Sequence, residues 1–399
     1  MNRLIMIGNG FDLAAGLKTS YEDFLVNYLK NIIIQATNNE DYTGDDICDI
    51  EVNRTDIILD PSNVKREVSL KVARINEKMK QINNLTELFK VVSVQIVGFT
   101  EDNNRNTIFK ITVKSNFFLQ LLGNYNWTDI EEFYYTRLLK VYKEEGYLKN
   151  KHSKDEDIEK DIRRHRKSNL VQLNEEFRVI RLEIIKYLKT IDTDRVRPFY
   201  FLENLKNPLK ENIFKSFFNL NDSNGYTKPE IENIKFLNFN YTFTLENLFR
   251  SDSLKNYSLN DIIYIHGLTH DSQKIIFGYG DDTHEMYQKL ELTGEDEYLK
   301  HLKSFFYPLS DEYMNLMRFL DSDQFEIQII GHSLGLSDRL LLKTIFEHQN
   351  CRCIRLLHRG RDNEESLMPN RYMALSRHFD NKLKMRNKIY PFDMSDKIN

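Results

Sequence analysis

The sequence is poor in the residues that define several protein classes. It has only 3 cysteines in 399 residues, so disulfides cannot hold the fold together, and no two C-x-x-C pairs indicate a zinc ribbon. It has only 7 prolines and 15 glycines, which argues against a disordered chain, and we find no internal repeat. We therefore expect a folded protein of helices and a buried sheet in a reducing compartment, the cytoplasm.

Long apolar runs and an excess of one charge are also missing. No stretch approaches the roughly 18–20 apolar residues that a membrane-spanning helix needs, and Met1 leads straight into a core-type strand. The formal net charge is −4, whereas dedicated nucleic-acid binders are usually basic. We expect no membrane partner, and direct nucleic-acid binding is not supported. No set of His, Cys, Asp and Glu has metal-ligand spacing, so no metal site is predicted.

Short apolar segments followed by glycine or polar residues predict a parallel sheet. The first covers residues 3–7, and the others return after residue 233, several of them separated by helix-length segments. The later predicted strands are 234–239, 262–267, 274–278, 325–331 and 353–358. We predict an α/β fold with a Rossmann-like, mostly parallel sheet, built from residues 1–36 and 216–399.

Residues 37–215 form a large, mainly helical insertion in this prediction. Within it, two β-rich runs joined by a polar turn predict a β-hairpin over 89–115, and a helical pattern covers 116–215. The almost wholly charged tract 150–168 is typical of a solvated helix face or a connection.

A helix is predicted to begin shortly after the first strand. Thr19 with Glu22, and Ser20 with Asp23, both have the spacing of a capping box. The helix therefore starts at Thr19 or Ser20.

Polar clusters follow four of the predicted strands. In parallel α/β sheets, ligands bind beyond the carboxyl ends of the strands, so the four clusters predict one binding site. The clusters are Gly8, Asn9, Gly10, Phe11 and Asp12; Asn238, Asn240 and Thr242; His266 and Gly267; and Gly331, His332, Ser333 and Asp338.

The Gly8–Asp12 turn has two interpretations. Glycines let backbone amides converge on a phosphate near a helix N-terminus. The full G-x-G-x-x-G fingerprint is incomplete, because Leu13 occupies the third glycine position, so a structural turn between strand and helix is equally compatible. Asp12 could contact a ribose hydroxyl or cap the next turn.

Asn240 and His266 are the candidate catalytic residues. An asparagine at a strand end can hold a water or an amide at every pH, or it can close a turn. A histidine titrates near neutrality, so at the mouth of the sheet it can accept a proton from a hydroxyl.

The segment 329–338 also fits a different enzyme class. Its Gly-His-Ser-Leu-Gly matches the G-x-S-x-G nucleophile elbow of serine hydrolases, with Ser333 as nucleophile and Asp362 and His378 as partners. Few residues remain after Ser333 to supply the acid and histidine loops. A glycine–serine turn that holds a nucleotide explains all four clusters together and ranks first.

The motifs together resemble the AbiH family of bacterial abortive-infection proteins. They are IGNGFDLAxGLKTSYxDF, NWxDIE, FNYTxTxE, IHG, FGYG and GHSLGLSD. Their order also resembles, more distantly, SIR2-like NAD-binding domains. By that resemblance, the glycine turn cradles phosphates, Asn240 lies beside the nicotinamide ribose, and His266 is the histidine of the His-Gly pair. Gly331 and Ser333 then lie near the adenosine half.

The resemblance implies an anti-phage effector that hydrolyses NAD. NAD is then substrate or ligand and no other cofactor is required, since the four-cysteine zinc module of the protein deacylases is missing. Thr242 departs from the aspartate that usually follows the asparagine in the distant relatives. A phage-derived trigger, a partner defence protein and a second copy of the chain are candidate partners. A non-catalytic nucleotide-sensing module and the serine hydrolase are the alternatives.

Overall fold

The computed structural model divides the chain into two compact units. One comprises Met1–Lys18 with Leu188–Asn399, and the other comprises Thr19–Tyr187. The division predicted from the sequence, residues 1–36 with 216–399 and the insertion 37–215, stays a prediction. The structure describes residues 1–53, 74–91, 94–97, 108–123, 127–151, 156–194, 230–250, 257–271, 274–358 and 364–392.

The described residues include eight strands. They are β1 (Asn2–Ile7), β2 (Cys48–Val52), β3 (Val94–Ile96), β4 (Phe109–Val113), β5 (Asn233–Asn238), β6 (Ile262–Tyr264), β7 (Phe325–Ile330) and β8 (Cys351–Leu356). The α-helices of the first unit are α1 (Asn9–Ala14), Thr244–Arg250, Glu285–Glu291, Asp311–Ser322, Arg339–Glu347, Glu364–Ser376 and Lys382–Lys388. Those of the second unit are Tyr21–Asn38, 74–81, Leu85–Val91, Asn116–Leu121, Trp127–Lys151 and Glu156–Lys189, of which the last helix ends two residues beyond the unit's boundary at Tyr187.

The first unit is built on a five-stranded sheet in which every neighbouring pair is parallel. The strand order is β6-β5-β1-β7-β8. Counted along the chain within this sheet, that order is 3-2-1-4-5, the Rossmann arrangement, with its switch point between β1 and β7. Both of these strands are buried along their whole length, as their apolar sequences require. The predicted fold class is confirmed.

One predicted strand of this sheet is wrong, and another is shorter than expected. Residues 274–278 form no strand; Ile275, Ile276 and Phe277 are buried as irregular chain, with the Ile276 amide donating to the His266 carbonyl at 3.0 Å. Burial against the sheet accounts for their apolar character without ladder pairing. Strand β6 stops at Tyr264, so His266 lies in the turn that follows it.

The second unit contains a smaller mixed sheet of order β2-β4-β3. Strand β4 pairs antiparallel with β2 but parallel with β3. The hairpin predicted over 89–115 is therefore wrong. Alternating apolar residues indicate that strands exist but carry no information on direction, and the antiparallel partner, β2, comes from a segment rich in polar residues. Residues 89–91, at the start of the predicted hairpin, belong to the helix Leu85–Val91 instead.

The predicted capping box is confirmed at the helix Tyr21–Asn38. The Asp23 amide donates to Ser20 Oγ at 3.1 Å, and the Ser20 amide donates to Asp23 Oδ2 at 3.0 Å. The charged tract is helical from Glu156 onward in the described residues.

None of the helices in the described part of the chain combines the length and apolar character that crossing a membrane requires.

Candidate functional site

The four predicted clusters lie at one edge of the parallel sheet. They follow β1, β5, β6 and β7, four strands that are adjacent in the sheet and point the same way. Each cluster therefore lies beyond a carboxyl end, where ligands of such sheets bind.

The glycine turn after β1 uses its backbone amides within the fold. The Gly8 amide donates to Ile330 O at 3.0 Å, the Gly10 amide to Gly331 O at 2.8 Å, and the Phe11 amide to Gly8 O at 2.9 Å. These amides point at carbonyl oxygens of the chain itself. That the turn holds a phosphate stays a prediction. The Gly8 and Gly10 amides could donate to a ligand only by giving up these carbonyl partners.

The glycines are needed because two loops touch at the switch point. A Cβ on Gly10 would lie 2.7 Å from Gly331 Cα, closer than real Cβ atoms come. Gly331 has φ 65°, and a Cβ there would lie 2.4 Å from the Phe11 amide nitrogen. The crevice between β1 and β7 is thus closed by direct backbone contact. The Phe11 side chain is buried in an apolar cluster with Ile7 and Ile330.

Asp12 joins the first cluster to the second. Its carboxylate accepts from Asn240 Nδ2 at 3.1 Å and from Thr242 Oγ1 at 2.5 Å, and its side chain is buried. Burial raises the pKa of Asp12 to about 6, although the hydrogen bonds from Thr242, Thr244 and Asn240 act to lower it. Asp12, considered above as a ribose contact, is held by the loop after β5.

The asparagines of the second cluster shape that loop. Asn238 Oδ1 accepts from the Asn240 backbone amide at 3.0 Å, the turn-closing role considered as an alternative for a strand-end asparagine. Asn240 Nδ2 also donates to Gly8 O at 3.2 Å, which ties the loop after β5 to the glycine turn.

A buried cluster of charged residues surrounds His266. Asp338 Oδ1 accepts from Lys303 Nζ at 2.7 Å, and His266 Nε2 lies 3.2 Å from the same oxygen without hydrogen-bond geometry. The three side chains are at most 8% exposed. Burial by itself raises the pKa of Asp338, but the charge of Lys303 and the neighbouring His266 outweigh it and hold the pKa well below its usual range.

Aromatic rings and a second histidine complete the cluster. The Tyr241 ring is stacked on His266 with centroids 5.9 Å apart, and Phe239 meets the rings of His266 and His332 edge-on. His332 Nε2 lies 3.8 Å from Asp338 Oδ2, while its Nδ1 accepts from the Leu334 amide. Burial lowers the pKa of His332 to about 4, so His332 is neutral at physiological pH.

Lys303 is the charged member of the cluster that sequence reasoning missed; the ring contacts of Phe239 and Tyr241 were not predicted either. It lies in a short 3₁₀ turn, and its amide donates to Tyr279 O at 2.8 Å beside the bridge that joins Tyr279 to Leu302. This bridge places the FGYG segment against residues 301–303. The Lys303 segment follows no predicted strand and has no motif, so only the fold reveals its position.

The serine-hydrolase alternative finds no support in the described geometry. Ser333 is exposed, but the left-handed residues of this turn are Gly331 and Leu334, with φ 65° and 59°, and not the serine. His378 directs Nε2 to the Leu334 carbonyl oxygen at 3.0 Å, within the core. Asp362 lies outside the described residues.

No group of three or more metal-binding side chains comes together within the residues that the structure describes.

Gly267, after His266, closes its turn: its backbone amide donates to Tyr264 O at 3.0 Å.

Fold and site together define a Rossmann-like α/β protein with a histidine–aspartate–lysine cluster at the carboxyl edge of its sheet. The chain belongs to the bacteriophage abortive infection AbiH family, which it matches over residues 4–358. This membership supports an anti-phage abortive-infection role. No curated protein and no solved structure matches the chain. The resemblance to SIR2-like domains stays a prediction.

Proposed function

We propose that the chain acts in abortive infection by binding NAD at the carboxyl edge of its sheet and hydrolysing the nicotinamide–ribose bond. The observation that supports this proposal most is the environment of His266. This histidine follows a buried strand, faces the Asp338 carboxylate and is stacked against Tyr241. Such surroundings fix the orientation of an imidazole that must accept a proton.

The proposed reaction consumes one water. The bond between ribose C1′ and the nicotinamide nitrogen breaks, and its electron pair neutralises the pyridinium ring that leaves. The water oxygen bonds to C1′, and its proton passes to His266. Because Nε2 faces Asp338, we assign the proton-accepting role to Nδ1. General-base catalysis of this kind contributes about 10²–10⁴-fold to a rate.

Asn240 has a positioning role in this proposal. Its amide nitrogen is used by Asp12 and Gly8, so its Oδ1 atom is the one directed to the ribose or the attacking water. The buried Asp12 and Thr242 hold the asparagine in that orientation. Gly331 and Ser333 of the neighbouring loop are proposed to lie along the adenosine half of the ligand.

A nucleotide-sensing module without turnover is the second candidate. It is favoured by the hydrogen bonds that already engage the glycine-turn amides and the Asn240 amide nitrogen, since they describe a rigid loop rather than an open reaction centre. This alternative predicts that the purified chain retains a nucleotide stoichiometrically and releases no nicotinamide.

The test is a nicotinamide-release assay on purified protein, with lysate of infected cells added as a source of trigger. Wild type is expected to convert NAD to nicotinamide and ADP-ribose. His266→Asn is expected to lose at least about 100-fold of that rate. His348→Asn is the matched control, because His348 precedes β8 at the opposite, amino-terminal end of the sheet.

Far-ultraviolet circular dichroism establishes that each variant is folded. Wild type that releases no nicotinamide under either condition would contradict the proposed hydrolysis, as would a folded His266→Asn variant of undiminished rate.

A further inference from the structure

We infer that Lys303 is a positioning residue that acts through Asp338 to set the protonation of His266. The inference rests on the proposed role of His266 as the base. It extends that proposal to a residue that no sequence motif marks.

The geometry places one carboxylate oxygen between two basic groups. Asp338 Oδ1 is 2.7 Å from Lys303 Nζ and 3.2 Å from His266 Nε2. Of these two contacts, only that of Lys303 has hydrogen-bond geometry, so the hydrogen bond to this oxygen comes from the ammonium group. The Lys303 side chain is 1% exposed, which makes its charge effective at short range because solvent screening is small.

The charges determine what each partner does to His266. Asp338 alone would stabilise the imidazolium, and a histidine that is already protonated cannot act as a base. Lys303 neutralises much of that carboxylate field while the carboxylate still orients the ring. The carboxylate therefore orients the imidazole, and the lysine charge opposes the stabilisation that the carboxylate would give the imidazolium.

Other groups around His266 do not replace this arrangement. Tyr241 stacks on its ring from the loop after β5. His332 Nε2 lies 3.8 Å from Asp338 Oδ2, and His378, whose Nε2 faces the Leu334 carbonyl oxygen, interacts with Asp338 electrostatically. The pKa values of both histidines are lowered by burial, so they are uncharged at neutral pH. Lys303 is thus the cation that balances Asp338 in this cluster.

Opposite shifts in two variants test the inference. Lys303→Met leaves the Asp338 charge unbalanced, so the pH midpoint at which His266 takes up a proton should rise by about one unit or more. Asp338→Asn leaves the lysine charge beside His266, so the midpoint should fall. A merely structural role would move both midpoints in the same direction or in neither.

The midpoint is measured by NMR on protein labelled at histidine Cε1, which gives one signal for each of the 10 histidines. The His266 signal is assigned by its loss in His266→Asn. Because a buried charge without a partner destabilises a fold, the double variant Lys303→Met/Asp338→Asn is included. It removes both charges and should return the midpoint to between those of the two single variants.

The titration needs no NAD, so it separates the two proposals. Opposite shifts in a protein that never releases nicotinamide would support the role of Lys303 and contradict the hydrolysis. If wild type hydrolyses NAD while Lys303→Met leaves the midpoint unchanged, the inference is overturned. Where Lys303→Met does not fold, a double variant whose midpoint is no higher than that of Asp338→Asn overturns it, because removing the lysine charge then has no effect on His266. In an active enzyme, Lys303→Met should move the acidic limb of the rate–pH profile upward by the same amount as the midpoint.

Discussion

At the scale of single residues, Asp12 shows how burial makes a carboxyl group sensitive to pH. Its pKa in the folded state is about 6, against an ordinary value of 3.8, so between these pH values the folded protein binds more protons than the unfolded chain. The stabilising contribution is fully present below pH 3.8 and is lost as the pH rises through 6. Above that, the fold buries a carboxylate at a cost of about 3 kcal/mol.

Asp12→Asn should remove this dependence. An asparagine there can accept from Asn240 and donate to Thr242, whose hydroxyl can then donate to Thr244. The free energy of unfolding of wild type relative to the variant should therefore fall by about 2 kcal/mol between about pH 4.5 and 7.5. Urea unfolding across this range is the measurement, with the exposed Asp296→Asn as control. Parallel stability curves for wild type and Asp12→Asn would show that the Asp12 pKa is not raised.

Gly10 is a residue at which the surrounding backbone leaves no room for a side chain. A methyl group there would overlap the backbone of Gly331. That backbone is held in place because its carbonyl oxygen accepts a hydrogen bond from the Gly10 amide. Gly10→Ala should lower the free energy of unfolding by about 1–3 kcal/mol. Gly123→Ala is the control, since its Cβ would meet only Gln120 O at an ordinary 3.9 Å. Thermal unfolding of the two variants compares them directly, and equal stabilities would disprove the tight loop crossing.

At the scale of elements, β1 and β7 are joined by a buried ion pair. Arg3 and Glu326 face each other in the register of these strands, with side chains 0% and 2% exposed. Arg3→Met alone leaves the glutamate charge unpaired and should cost about 3–5 kcal/mol, whereas Arg3→Met/Glu326→Leu should be near wild-type stability.

Chemical denaturation gives the measurement for the ion pair. Lys300→Met, which breaks an exposed pair with Glu297, serves as the surface control and should change little. If the double variant were as unstable as Arg3→Met, the ion pair itself would stabilise these strands. The loss in Arg3→Met could then not be explained by the unpaired charge of Glu326.

Individual strands and helix ends could be predicted where the local sequence is compatible with one structure only. The apolar runs of β1 and β7 and the capping box of Ser20 and Asp23 each specify a local structure, and the structure confirms them. The direction in which strands pair in the second unit could not be predicted from the sequence. Strands β3 and β4 pair in parallel, and an alternating pattern of apolar residues is the same for parallel and antiparallel pairs. Residues 274–278 failed for a related reason: burial selects the same residues in a packed loop as in a strand.

At the scale of the whole molecule, the candidate site is assembled from parts that are distant in sequence. That the four motifs lie together could be predicted, because parallel strands bring their carboxyl ends to one edge of a sheet. These motifs are the glycine turn, the strand-end asparagines, the His-Gly pair and the Gly-x-Ser turn. Lys303 was not, since its place beside Asp338 depends on how the segment after Tyr279 folds back. The role of the glycine turn was also only partly predictable, as its amides pair with the chain itself.

These parts give one account of the protein. AbiH family membership supports a role in abortive infection, and the proposal adds that NAD hydrolysis, with His266 as base, is how the infected cell is stopped. The chemistry and the defence must then depend on the same imidazole.

The most direct measurement is the NAD content of cells challenged with a phage against which the wild-type chain protects. Cells that express wild type should lose most of their NAD after infection, whereas cells that express His266→Asn should keep it and lose protection. Protection by wild type with NAD unchanged, or protection retained by His266→Asn, would contradict the account.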